Sequence, residues 1–120
     1  MTNATDFVAR YLTAWTSNDP VDIAAVFAPE AVYHPRPNAS QIASGIDEIT
    51  AFWLEERDEP GTWEFEWTVV VEDANAAAIR GVTSYPAGAK KGVYDNLWLV
   101  RFDTDGCAVE FTDWWISRKK

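Results

Sequence analysis

Between Val93 and Ser117 two alternating runs of side chains flank an Asp105-Gly106 step, and no other stretch limits the fold as tightly. Asp-Gly favours the two-residue type I′ turn of a β-hairpin, because both central residues of that turn need positive φ. With Thr104 facing Cys107, the cross-strand pairs become Phe102 with Val109, Val100 with Phe111, Trp98 with Asp113, Asn96 with Trp115 and Tyr94 with Ser117. Side chains alternate along a strand, so all of these share one face. The opposite face pairs Arg101 with Glu110, Leu99 with Thr112 and Leu97 with Trp114. An opposite-charge pair directly across the strands supports this register by roughly 0.2–1 kcal/mol.

The first face is apolar near the turn and then sets Asn96 and Asp113 among Trp98, Trp115 and Tyr94. A carboxylate there needs solvent, hydrogen bonds or a cation, since burying it unpaired costs several kcal/mol. Asp113 is therefore a candidate site residue with Asn96 beside it. The other face is apolar in its middle at Leu97, Leu99 and Trp114, which points to an interface.

Upstream, Phe7, Val8, Tyr11, Leu12 and Trp15 recur at helical spacing, predicting a helix over 4–17 capped by Thr2 or Asn3. Asp19-Pro20 starts a second helix bearing Ile23, Val26 and Phe27, with Pro29 as its end. Ala31 to Pro35 reads as a short extended run. Ser44 and Asp47 resemble a capping box ahead of a third helix that carries Ile46, Ile49, Phe52 and Trp53 to about Arg57. Trp63 to Glu72 alternates as a half-solvated strand, Asp73 to Asn75 turns it, and Ala76 to Tyr85 is the next strand; the face of Arg80 stays open. Pro86 to Gly92 reads as a loop. Early helices followed by an antiparallel meander make an α+β chain with the helices on one face of a curved sheet.

A chain of 120 residues fits one domain, 1–120. The net charge of −9 argues against nucleic acid, whose phosphates need a basic footprint. The basic runs Lys90-Lys91 and Arg118-Lys119-Lys120 read as solvated loop and tail. Cys107 and His34 are single, too few for a Cys/His zinc site, and no EF-hand spacing occurs. No metal or cofactor is expected. The N-terminal stretch lacks a basic leader with an apolar run, and no segment approaches ~20 apolar residues, so a soluble cytoplasmic protein without membrane contact is expected. Seven Trp are spread along the chain, either walling a cavity or filling the core.

The pieces ARYLTAW, VFAPEAVYHP, GIDEITAFW, LVRFDTDG and EFTDWW, in that order, resemble the nuclear transport factor 2-like superfamily, and most closely its small SnoaL-like and ketosteroid-isomerase-like members. The resemblance spans nearly the whole chain. It implies a cone-shaped, cystatin-like fold, with three N-terminal helices on the concave face of an antiparallel sheet, an apolar pocket between them, and frequent dimers. The isomerases' oxyanion-binding Tyr on the first helix matches Tyr11. Their catalytic carboxylate, directly before a Pro, matches His34; their second oxyanion donor, an Asp, matches Trp98. The ring that closes their pocket matches Trp115. Steroid isomerisation is therefore not expected. SnoaL-like cyclases use an acid/base Asp with a His inside the pocket, which singles out Asp113 and His34.

The resulting expectation is a pocket for a small apolar or aromatic molecule. Catalysis falls to His34, Asp113 and Tyr11; the walls are Trp15, Phe27, Trp53, Asn96, Trp98, Phe111 and Trp115. Proton transfer, cyclisation, or dehydration and hydration are the reaction classes. His34, with an unperturbed pKa near 6.5, suits proton transfer, and a nearby carboxylate would fix its tautomer. The alternatives are binding of an apolar or planar ligand without turnover, and a dimeric structural module. A homodimer through Leu97, Leu99 and Trp114 is expected.

Overall fold

The computed structural model describes residues 3–38, 40–86 and 92–118. The cap at Thr2 and the basic residues Lys90, Lys91, Lys119 and Lys120 lie outside the described residues, as does most of the loop after Pro86. The elements run α1 (Asn3–Ser17), α2 (Pro20–Val26), β1 (Phe27–His34), β2 (Ala43–Ser44), α3 (Ile46–Glu55), β3 (Glu64–Glu72), β4 (Ala76–Ser84), β5 (Val93–Phe102) and β6 (Ala108–Ser117).

Helix α1 buries Ala4, Phe7, Val8, Tyr11 and Ala14 along one stripe. It stops at Asn18, whose φ of 53° is left-handed and whose N–H donates to the Ala14 carbonyl at 2.7 Å. The Asn18 side chain then joins two distant segments, accepting from Trp53 Nε1 at 3.0 Å and donating to the Asp58 carbonyl at 3.0 Å. Asp19 caps α2 by accepting from the Val21 N–H at 2.8 Å, with Pro20 at the first helical position.

Pro29 does not end α2. The helix passes straight into β1 at Phe27, and Pro29 lies within the strand where pairing to β6 is interrupted: Phe27 faces Ala108 and Val32 faces Glu110, so five steps along β1 span two along β6. A Pro lacks the N–H a regular ladder requires, and an irregular stretch is where it fits. The expected capping box at Ser44 is also different. Gly45 holds the N-cap position without a side-chain bond, and Glu48 reaches back to the Ser44 N–H at 3.1 Å.

One six-stranded sheet has the order β2-β1-β6-β5-β4-β3. It is antiparallel except where β1 runs parallel to β6, so it is a mixed sheet, with the two-residue β2 added at the β1 edge. The hairpin register holds from Tyr94 opposite Ser117 to Arg101 opposite Glu110, and the Arg101–Glu110 pair closes at 3.1 Å. At the turn it slips, and Phe102 faces Ala108. The cause is Asp103, whose Oδ1 accepts from the Asp105 and Cys107 N–H groups at 2.8 and 3.0 Å. Gly106 alone carries positive φ there, at 81°, so a longer Asx-type loop replaces the type I′ turn.

The helices cover one sheet face. Phe7 packs edge-on to Trp98 and Phe102, and Phe65 stacks on Trp98 at 4.7 Å and 16°. That stack depends on Gly81, because a Cβ there would fall 2.2 Å from Phe65 Cζ. Arg80 faces outward opposite Leu97. Leu99 and Trp114 on the outer face are 38% and 46% exposed.

Candidate functional site

A cavity of about 450 Å³ opens between the concave sheet face and helices α1 and α3. Of the expected site residues, Tyr11, Trp15, Trp53, Asn96, Trp98, Asp113 and Trp115 line it. Phe27 and Phe111 do not. They are 2% and 0% exposed, pressed against each other at 6.2 Å in the packed core.

His34 is not in the cavity either. Alternation along β1 decides this: Tyr33 faces Phe111, a buried inward residue, and His34 faces Thr112 on the outer side. On that outer face His34 Nε2 meets Glu110 Oε2 at 3.0 Å, while Glu110 Oε1 takes the Arg101 guanidinium at 3.1 Å. The hydrogen bond to His34 first, then that to Arg101, holds the Glu110 carboxyl below the usual range. The expected His34–Asp113 pair therefore does not form, and the position matched through the X-Pro step contributes its neighbour, Tyr33, to the interior.

The polar floor is a chain of side-chain bonds. Thr83 Oγ1 donates to Asn96 Oδ1 at 2.8 Å, and Asn96 Nδ2 donates to Asp113 Oδ1 at 3.0 Å. Thr83 thus fixes which way the Asn96 amide points. Burial pushes the Asp113 carboxyl up to about 6, against the Asn96 bond and the nearby Trp98 indole, which favour the charged form. The Trp98 N–H nonetheless makes no hydrogen bond of acceptable geometry, so it is an electrostatic neighbour of Asp113 and a buried donor left over.

Burial raises the Tyr11 and Tyr33 phenols above their ordinary value, helped next by the neighbouring Tyr33 and then the Asp113 charge for Tyr11, and by the Asp113 charge for Tyr33. Both remain donors. At the mouth, Asp58 Oδ2 accepts from Trp15 Nε1 at 3.1 Å and from the Tyr85 hydroxyl at 2.9 Å. Trp115 Nε1 donates to the Pro35 carbonyl at 3.1 Å, and the Arg36 guanidinium sits 4.5 Å over the Trp115 ring.

Reading the sequence missed Tyr33, Phe52, Asp58, Thr83 and Tyr85 as lining residues. Tyr33 shares its strand phase with Ala31, a usable signal once β1 is taken as a strand. Asp58 comes from a loop between α3 and β3, and nothing local marks it. Among the described residues no three His, Cys, Asp or Glu side chains converge on a metal-sized site. No helix among them is long and apolar enough to cross a membrane.

Three helices laid on an open, mixed six-stranded sheet define an α+β protein of the nuclear transport factor 2-like, or cystatin-like, kind. The SnoaL-like domain model matches residues 8–111, and the chain belongs to that family. Among solved structures it is similar to a nuclear transport factor 2-like protein of unknown function from Burkholderia xenovorans, with 14% identity, TM-score 0.73, and 98% of this chain and 86% of that one covered. A steroid delta-isomerase from Pseudomonas aeruginosa gives 17% identity and TM-score 0.66 over 98% of this chain and 82% of that one. An uncharacterised protein with a cystatin-like fold from Silicibacter pomeroyi gives 16% and 0.68 over 93% and 74%. At such identities the likeness is one of fold. No curated protein matches the sequence.

Proposed function

We propose that the cavity binds a small, largely apolar molecule and that Asp113 exchanges a proton with it. One observation carries this reading: a carboxyl group set among aromatic rings, with its pKa pushed up to about 6. A group titrating near the working pH can both give and take a proton, the condition under which general acid/base catalysis is efficient. Tyr11 and Tyr33 stay protonated and are suited to donate to an oxygen on which charge develops. Asn96 orients Asp113, and Thr83 orients Asn96. Proton transfer next to a carbonyl, cyclisation, and dehydration or hydration are the reaction classes this set supports. His34 has no part in it.

Binding without turnover is the second reading. It is favoured by the absence, among the described residues, of an imidazole or second carboxylate bonded to Asp113. Deuterium exchange separates the two. A panel of aryl ketones in heavy water, followed by proton NMR, should show α-proton exchange faster by about 100-fold with the parent than with Asp113→Asn. Ketones that bind without Asp113-dependent exchange leave only the second reading.

We also propose a homodimer through the outer sheet face. Leu99, Trp114 and Ile116 are 38%, 46% and 64% exposed there, and Leu97 lies between the first two. A two-fold axis would bury the same apolar patch on both copies. Sedimentation should find a dimer that Trp114→Glu converts to monomer; a parent chain that is monomeric at every concentration removes this idea.

A further inference from the structure

The charges around the cavity are of mostly one sign. Glu56, Asp58 and Asp113 are among its lining residues, and Arg57 is the one guanidinium. Arg57 is exposed and donates through Nη1 to the Leu54 carbonyl at 3.1 Å. Asp113 is bonded to a neutral amide, that of Asn96, and has the neutral Trp98 indole beside it; among the described residues no cation lies within ion-pair distance. The same cavity is lined by the ring systems of Tyr11, Trp15, Trp53, Tyr94, Trp98 and Trp115. Aromatic faces carry negative charge density and attract cations, most strongly when the cation is desolvated. The mouth already displays this chemistry, since Arg36 rests over the Trp115 ring at 4.5 Å.

We infer that the natural ligand is an organic cation, an amine or quaternary ammonium group on an apolar body, held by the aromatic rings with Asp113 as its counter-ion. This rests on the reading of the cavity as the ligand site and names the ligand's chemical class. Three ligand charges can be compared. An anion at Asp113 would bring a second negative charge beside the first, with no cation within ion-pair distance of the carboxylate among the described residues. A neutral molecule would leave the carboxylate with its Asn96 bond but no opposite charge. A cation supplies the missing opposite charge and leaves the Asn96 amide and the Trp98 N–H free to donate to an ionised Asp113. The buried indole donor, without a hydrogen-bond partner among the described residues, then faces a fully charged acceptor.

Two probes of the same shape and opposite character test this: meta-hydroxyphenyltrimethylammonium and its carbon isostere, meta-tert-butylphenol. Isothermal titration with the parent chain should show the cation bound at least about tenfold more tightly than the isostere. Asp113→Asn keeps the shape of the site and should bring that preference close to unity, while the Trp98 indole signal moves on cation binding in the parent only. An isostere that binds as well as the cation overturns the inference, as does a cation preference that survives in Asp113→Asn, or no binding of either probe at millimolar concentration. Proton exchange on neutral ketones is measured separately, so an active acid/base site with no cation preference would leave the proposed function standing and remove this inference alone.

Discussion

Strands β5 and β6 carry two very different environments on one face. Near the turn, Val100, Phe102, Ala108 and Phe111 join Phe7, Phe27 and Ile79 in a region with almost no exposure and no side-chain hydrogen bonds. A few residues further along the same strands, Asn96, Asp113 and Trp115 line an open cavity with Thr83, Tyr11 and Tyr33. The alternation is unbroken across the boundary; only the chemistry of the inward positions changes. One end supplies folding energy, and the other spends some of it to keep a carboxyl group among rings.

Mutations at the two ends should therefore differ in sign as well as size. Phe111→Ala opens a void where Phe7, Phe27, Tyr33 and Trp98 all meet its ring, and should cost about 3–5 kcal/mol in urea unfolding. A loss under 1 kcal/mol would mean the turn end is not the stabilising half. Asp113→Asn should do the opposite at high pH. Burial raises the folded-state pKa from 3.8 to about 6, so the folded chain holds this proton more tightly than the unfolded one. That contribution is complete below about pH 4 and disappears as pH rises through 6. At pH 8 the variant should gain about 3 kcal/mol over the parent, and at pH 4 the two should differ by less than about 1 kcal/mol. Equal stabilities at both pH values would place Asp113 in ordinary solvent. Tyr33→Phe should cost the least, about 1 kcal/mol, through loss of a buried polar hydroxyl.

How far the sequence could be read follows from which forces are local. The hairpin's inner face was legible because strand alternation and one charge pair, Arg101 with Glu110, are enough to set it. The turn was not, since the Asp103 side chain captures two N–H groups and lengthens a loop that Asp-Gly alone would keep short. Much of the aromatic wall was foreseen at Trp15, Trp53, Trp98 and Trp115, while Phe27 and Phe111 went to the core because they stand at the packed end. The histidine was misplaced for a different reason. Which of Tyr33 and His34 points inward is set by the parallel pairing of β1 to β6, a long-range contact that no nearby pattern encodes. Asp58 was invisible likewise, being brought to the mouth by bonds from Trp15 and Tyr85.

The irregular stretch around Pro29 gives this a wider meaning. Because β1 takes five steps where β6 takes two, the strand already tolerates surplus length before it settles into register at Val32. Removing or adding one residue there would advance the reading frame of the strand by a single side chain. The cavity would lose a phenol and acquire the chain's only imidazole, beside the same carboxyl group, with no substitution anywhere. In this fold a change of length, of the kind exposed irregular segments tolerate, can act as a change of catalytic equipment.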